Sequence, residues 1–361
     1  DMMHGDYMDA KKQDMRLYTS SDLGASVQFA SEPGVYEFSY ENGVAYVVKI
    51  EKSEQSELYL SNDLNSLVRA QYRGVSSVGD IETTIYEVLE SNQDVAFMAI
   101  CNGGRYPTLA SLFQANVNDG MFWVTRPTLR ATCDPYNWHG VDFQKIHSLP
   151  GTFFSNGFSD SAFASASNDI EDYIQSAISF NKGGTWEPLP GPQETCSVND
   201  NCYLHLFSGA DRNTPPDVQH IYSSEDAVGL IVATGNEGQY RQPLEQSNTY
   251  FTRSGGYSWY PIAAGRNVIS TAAHGSIMLM VPINDTGTNF LNYSWNQGIS
   301  WGTCAFADDK VTVEKIIDIS VYGKSPELRF LIIGIGSLSA GGFVTTVTFK
   351  DATPRECKYL E

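Results

Sequence analysis

Three short segments of this chain repeat one pattern. Ser or Thr stands first, Asn or Ser third, Gly fifth, Ser or Thr seventh and Trp eighth. The copies are Ser179 to Trp186, Thr252 to Trp259 and Ser294 to Trp301. A worn copy runs Ser20-Ser21-Asp22-Leu23-Gly24-Ala25-Ser26-Val27, and a remnant reads Ser61-Asn62-Asp63-Leu64. Self-similarity at a period of about 40 residues is the signature of stacked supersecondary units, each unable to bury its apolar face alone.

Turn chemistry explains the pattern. A third-position Asp or Asn bonds its own backbone further on, and Gly accepts positive φ. The Trp then packs beneath the turn as the next strand begins. Such a segment, an Asp-box, is a structural staple that closes a β-hairpin. The residues assigned to it are Ser20, Asp22, Gly24, Ser179, Asn181, Gly183, Trp186, Thr252, Ser254, Gly256, Trp259, Ser294, Asn296, Gly298 and Trp301. No catalytic role is assigned to them.

Strand-like runs between Gly/Asn/Asp turns fill the length: 43–50, 56–60, 95–100, 229–234, 276–281 and 329–334. Ile170, Tyr173, Ile174 and Ala177 share a helical spacing, but the stretch is too short to specify a helix. The box starts Ser20 and Ser61, and again Thr252 and Ser294, lie one four-stranded blade apart. The longer gap from Ser61 to Ser179 predicts two blades without boxes. The expectation is an all-β propeller segment of about six blades.

Charge narrows the partners. Forty-two acidic against 23 basic residues give a net charge of −19, unsuited to nucleic acid or an anionic membrane. Basic peptides or proteins suit such a field. Cys196 and Cys202 flank a polar turn, a spacing that suits a disulfide in an oxidising compartment. Spacing leaves the pairing of Cys101 and Cys133 open. Asn284 and Asn292 head glycosylation sequons. The six histidines are scattered without metal spacing, so no metal or cofactor is expected. Histidines and carboxylates together suggest a response to acidification. The opening Asp1-Met2-Met3 reads as neither a translation start nor a targeting segment, which points to a fragment or a processed product.

The run Val141 to Gly151, the box from Ile178 to Leu189, Cys196 followed by Cys202-Tyr203-Leu204-His205-Leu206, the strand Ala227 to Gly238 and the last box, in that order, resemble the luminal domain of sortilin-type Vps10 receptors. The resemblance runs from about Leu17 to Cys357. It implies a ten-bladed propeller of which residues 1–350 are the last six blades, with 351–361 opening a cysteine-rich module. Cys357 would be that module's first cysteine, and Cys304 would tie the last blade to the first, both pairing outside this chain. An N-terminal half of the same propeller is then a partner, since six blades of ten leave sheet edges open.

The resemblance further implies a non-enzymatic sorting receptor. It would bind peptide or protein cargo in the propeller tunnel, in the Golgi or endosomal lumen or on the extracellular side. The membrane span of the full receptor is not in this chain. The family's arginine that holds a ligand carboxylate would fall at Ser56, with Glu57 next; Lys49 is a nearby substitute anion anchor. Two alternatives stand beside this reading. One is a structural or adhesion surface protein built on a receptor-like propeller. The other is a sialidase-like glycosidase, which needs an arginine cluster and a Tyr nucleophile; the arginines here are scattered.

Overall fold

A computed structural model describes residues 15–20, 22–29, 31–50, 56–74, 81–91, 95–102, 109–131, 140–159, 173–196, 201–208, 221–283, 286–318, 328–336 and 341–349. Cys133, Asn284, Cys357 and the segment 351–361 lie outside the described residues. The chain divides into two compact units, Asp1–Val141 and Asp142–Glu361. Among the described residues the regular structure is sheet, antiparallel except where β7 meets β11, with no α-helix.

In the first unit β1 (Tyr18–Thr19) pairs with β2 (Gln28–Phe29). A four-stranded sheet follows in chain order: β3 (Val35–Glu41), β4 (Val44–Ile50), β5 (Ser56–Ser61) and β6 (Val68–Arg69). After β7 (Gln71–Arg73) comes a second meander of β8 (Ile81–Ser91), β9 (Val95–Asn102), β10 (Leu109–Asn116) and β11 (Met121–Arg130), with β7 parallel on β11. Strand alternation sends Tyr46, Val48, Leu58 and Leu60 into one core with Met98, Ile100, Phe113 and Phe122. Each such side chain contributes about 1.5–3 kcal/mol on burial. The phenol of Tyr46 is wholly buried, its oxygen 2.7 Å from Ser91 Oγ, and burial pushes its pKa up to about 12.

The second unit holds β12 (Phe143–Lys145), β13 (Phe153–Phe158), β14 (Ile174–Ser179) and β15 (Glu187–Pro188), paired in sequence. In the next sheet β16 (Tyr203–Leu206) and β17 (Ile221–Ser223) share the first place. Both pair with β18 (Ile231–Gly238), which continues to β19 (Asn248–Thr252) and β20 (Tyr260–Ala264). Then come β21 (Asn267–Ala272), β22 (Ile277–Pro282), β23 (Phe290–Ser294) and β24 (Gly302–Ala305). The last sheet has three strands: β25 (Val311–Asp318), β26 (Leu328–Gly336) and β27 (Gly342–Phe349).

Among the described residues between Ser61 and Ser179, one meander without a box, β8 to β11, occupies the stretch where two blades were expected. Its strands are long, up to 11 residues in β8, so one sheet uses up the chain assigned to two. Residues 174–179, at the edge of the weak helical pattern, form strand β14. Their partners β13 and β15, on either side, decide the conformation.

Four turns share one hydrogen-bond scheme. The first-position hydroxyl accepts the fifth-position glycine N–H: Gly24 to Ser20 at 2.7 Å, Gly183 to Ser179 at 2.8 Å, Gly256 to Thr252 at 3.1 Å and Gly298 to Ser294 at 2.8 Å. The third-position oxygen accepts the seventh-position N–H, at 2.8 Å in Asp22 and 2.9 Å in Asn181, Ser254 and Asn296. The fourth and fifth residues both take positive φ, including the non-glycines Leu23, Lys182 and Gln297. That conformation is strained for residues with a Cβ, so the paired side-chain bonds hold it. In the remnant the turn is one residue shorter: Asp63 accepts Ser66 N–H at 2.9 Å, and only Leu64 takes positive φ.

Polar side chains join neighbouring sheets of the second unit. Asp142 is fully buried; Ser208 Oγ donates to it, and Asn156 N–H donates to its carbonyl at 3.0 Å. Asn156 Nδ2 donates to Leu206 O at 3.0 Å, and Ser176 Oγ donates to Asn156 Oδ1 at 2.6 Å. Leu206 N–H closes the loop on Ser176 Oγ at 2.8 Å. At the next joint Thr271 N–H donates to Tyr222 Oη at 2.9 Å.

Two substitutions test this account. Ser179→Ala strands the buried N–H of Gly183 and is expected to cost about 1–3 kcal/mol in urea unfolding; Ser20→Ala, in an exposed turn, costs under about 0.5 kcal/mol. Asn156→Ala removes the side-chain bonds to Leu206 O, Ser176 Oγ and Asp142 Oδ2 and is expected to cost about 2–4 kcal/mol; equal urea midpoints for this variant and the parent would refute the role given to the network.

Candidate functional site

The residues expected to bind ligand fall on β4 and β5. Register sets Lys49 opposite Glu57 and Ile50 opposite Ser56, so Lys49 and Glu57 are direct cross-strand neighbours. Alternation brings Tyr59 onto the same face as Glu57, and β6 places Arg69 opposite Tyr59. Tyr59 Oη donates to Glu57 Oε2 at 3.0 Å, and Arg69 forms an ion pair with Glu57 Oε1. The Lys49 ammonium stands 5.3 Å from the centre of the Tyr59 ring, within cation–π range. Arg69 keeps 63% of its side-chain surface exposed, against 19% for Glu57.

Two cations thus flank one half-buried carboxylate, and the strip carries a surplus positive charge in an acidic chain. An exposed ion pair of this kind contributes little to stability, about 0–1 kcal/mol. The planar guanidinium of Arg69 matches a carboxylate, and here that carboxylate is Glu57. Sequence inspection pointed to Lys49, Ser56 and Glu57 but missed Arg69 and Tyr59. The alternation of Glu57 and Tyr59 was the available signal. The β6 register that adds Arg69 depends on the shortened turn between them.

The remaining assigned residues lie elsewhere. Trp259 is buried and donates Nε1–H to Gly256 O at 3.0 Å. Trp186 packs edge-on to Phe143, and Trp301 lies half-buried beside Phe251 and Met278. Cys196 and Cys202 form a disulfide. Cys101 is disulfide-bonded, its partner outside the described residues. Cys304 is a half-buried free thiol whose pKa burial raises. Asn292 is half-buried in β23, where its Oδ1 accepts Thr303 Oγ1–H at 3.0 Å. Among the described residues no group of three His, Cys, Asp or Glu has metal-binding geometry, and no helix is long and apolar enough to cross a membrane.

One histidine differs from the rest. His205 on β16 is 2% exposed. Its Nδ1 lies 3.1 Å from Ile174 O and its Nε2 3.1 Å from Gly238 O, so the ring spans β14 and the end of β18. Burial lowers its pKa, the two carbonyls oppose that shift, and the nearby Arg241 charge adds to the lowering.

Comparison with known proteins places these features in a family. The profile of the Sortilin-Vps10 family, described as sortilin, neurotensin receptor 3, matches residues 2–316. The vacuolar protein sorting/targeting protein PEP1 of Saccharomyces cerevisiae is 28% identical over 330 residues, covering 87% of this chain and 20% of that protein. The vacuolar protein sorting/targeting protein 10 of Kluyveromyces lactis is 27% identical over 324 residues, covering 86% and 19%. An uncharacterized membrane glycoprotein of Saccharomyces cerevisiae is 27% identical, covering 87% and 28%. The chain thus spans 19–28% of the length of these relatives.

The lowered pKa of His205 fixes the sign of an acid response. The unfolded chain takes up a proton near pH 6.5 while the folded state resists it. Stability is therefore full above about pH 6.5 and falls as pH drops below it, by at most roughly 1.4 kcal/mol per pH unit for this group. Urea unfolding at a series of pH values is expected to show this slope in the parent and a shallower one in His205→Gln. Parallel slopes would remove His205 from the acid response.

Proposed function

The chain belongs to the Sortilin-Vps10 family, and on that footing we propose that it is the luminal cargo-binding part of a sorting receptor. The observation that carries this reading is the family match over residues 2–316. In this reading peptide or protein cargo binds inside the propeller tunnel on the luminal or extracellular side, and the chain acts by binding rather than by catalysis. Lys49 and Arg69 receive an acidic group of the cargo, taking over from an arginine at position 56, where this chain has Ser56. Phe38 and Tyr40, exposed on β3 at the other edge of the same sheet, offer further apolar surface.

The same reading supplies a partner for two incomplete sheets. Among the described residues β1 and β2 stand as a pair, and β25 to β27 as a set of three, where the others have four strands or more. An N-terminal half of the propeller supplies the missing strands, which satisfies the backbone groups of the open edge of β27. Co-purification of a separate N-terminal fragment, or its presence upstream in one polypeptide, is the expected outcome. A stable cooperative fold of these residues alone, at monomer mass, would contradict it.

Capture tests the receptor reading. The complete luminal region is immobilised, luminal and secreted proteins are passed over it at neutral pH, and elution follows at about pH 5.5, where histidine is charged. A defined protein set released by acid is expected. Lys49→Ala and Arg69→Ala are each expected to weaken its binding about tenfold, the equivalent of losing one good charged contact. A stoichiometric partner held through both pH values would instead indicate a structural assembly.

A further inference from the structure

Trp123 on β11 keeps 44% of its surface exposed. It lines an open depression of about 400 Å³ together with Val95, Gln114, Ala115, Asn116 and Asn118, a shallow shape that suits an extended ligand lying along the surface. Register sets Gln114 directly opposite Trp123 on β10. The lining carries one large ring, three carboxamides and no charged side chain.

The three amides are committed to different degrees. Asn116 is spent on the turn: its Oδ1 accepts Asn118 N–H at 3.0 Å and its Nδ2 donates to Asp119 at 3.2 Å. Asp119 also accepts Met121 N–H at 2.9 Å. Asn118 gives only its Oδ1, to Asn62 Nδ2 at 2.7 Å, and keeps its NH2. Gln114 is half-buried, with no hydrogen bond to its carboxamide among the described residues. The turn that presents them is held in place. Gln71 N–H donates to Gly120 O at 2.8 Å, and a Cβ on Gly120 would lie 2.7 Å from Arg69 O.

We propose that this depression binds a neutral oligosaccharide, one sugar ring lying on the face of Trp123 and its hydroxyls bonded to Gln114 and Asn118. An amphipathic ring suits the C–H face of a pyranose. A carboxamide offers both donor and acceptor, and so does a sugar hydroxyl. A purely apolar segment would leave the amides of Gln114 and Asn118 desolvated without partners, at a cost of about 1–3 kcal/mol each. A polyanion is disfavoured by the net charge of −19. Arg73 stands on the far side of Trp123 from Gln114, on β7, outside the lining. The lining shares no residue with the charged strip on β4 to β6, and the ligand is distinct from the cargo proposed for that strip.

The test titrates the complete protein with chitotriose and with an oligomannose glycan, read by tryptophan fluorescence and by saturation-transfer NMR. Saturable binding of at least one is expected. Trp123→Ala should weaken it at least about tenfold, and Gln114→Ala or Asn118→Ala should weaken it less, with unchanged unfolding midpoints. The two amide variants decide the matter if Trp123→Ala fails to fold. Three results would overturn the proposal: no binding of either sugar at concentrations on the order of 10 mM, binding that these variants leave unchanged, or binding confined to an acidic sugar such as sialyllactose.

Discussion

The hydrogen bond from a glycine N–H to a hydroxyl four residues earlier underlies the other features of this chain. It closes the turn between the last two strands of a sheet and fixes their register. It also stabilises two consecutive residues at positive φ, one of them a non-glycine in three of the four full turns. Strain of that kind costs on the order of 1–3 kcal/mol per residue, which explains why the third-position oxygen adds a second bond in every copy. Burial then divides the copies. Ser179, Thr252 and Ser294 are almost wholly buried, so their hydroxyls have no water to fall back on, whereas the Ser20 turn is exposed.

Registered sheets still have to be held to one another, and in the second unit polar groups share that task with the apolar core. Asp142, Asn156, Ser176, Ser208 and the backbone of Leu206 form a closed set across one joint; Tyr222 and Thr271 cross the next. A network of buried polar groups that satisfy one another rigidifies the joint it spans. His205 occupies the same joint with both ring nitrogens against carbonyls. His205 thus sits at a contact between sheets, whereas His147 and His274 lie on the surface.

The strands and boxes were legible in the sequence because their causes are local. Alternation around Tyr46 and Leu58, and the Ser–Asn–Gly–Trp order near Ser179, need no distant partner to be recognised. Sheet number was less legible, since box spacing measures chain length and a strand such as β8 can be long. The charged strip was half legible. Lys49 and Glu57 stood out as charges near a strand end, but their pairing with Arg69 depends on a turn one residue shorter than the repeat. The Asp142 network was invisible, because its members are common residues far apart in sequence that only the stacking of sheets unites.

Wear of the repeat coincides with the candidate binding surfaces. The three full boxes, each ending in Trp, lie in the second unit. The first unit has the Ser20 copy without its Trp, the shortened Ser61 turn, and a sheet with no box. In the shortened turn Asn62 reaches Asn118, the amide beside Trp123. The register after that turn puts Arg69 against Tyr59 and Glu57. In the boxless sheet the turn Asn116 to Gly120 replaces a staple with a row of carboxamides, and the indole of Trp123 lies open rather than packed under a glycine as Trp259 is. Each complete box commits its first hydroxyl and its third-position oxygen to its own turn; where the box is lost, Gln114 and the NH2 of Asn118 are not committed in that way.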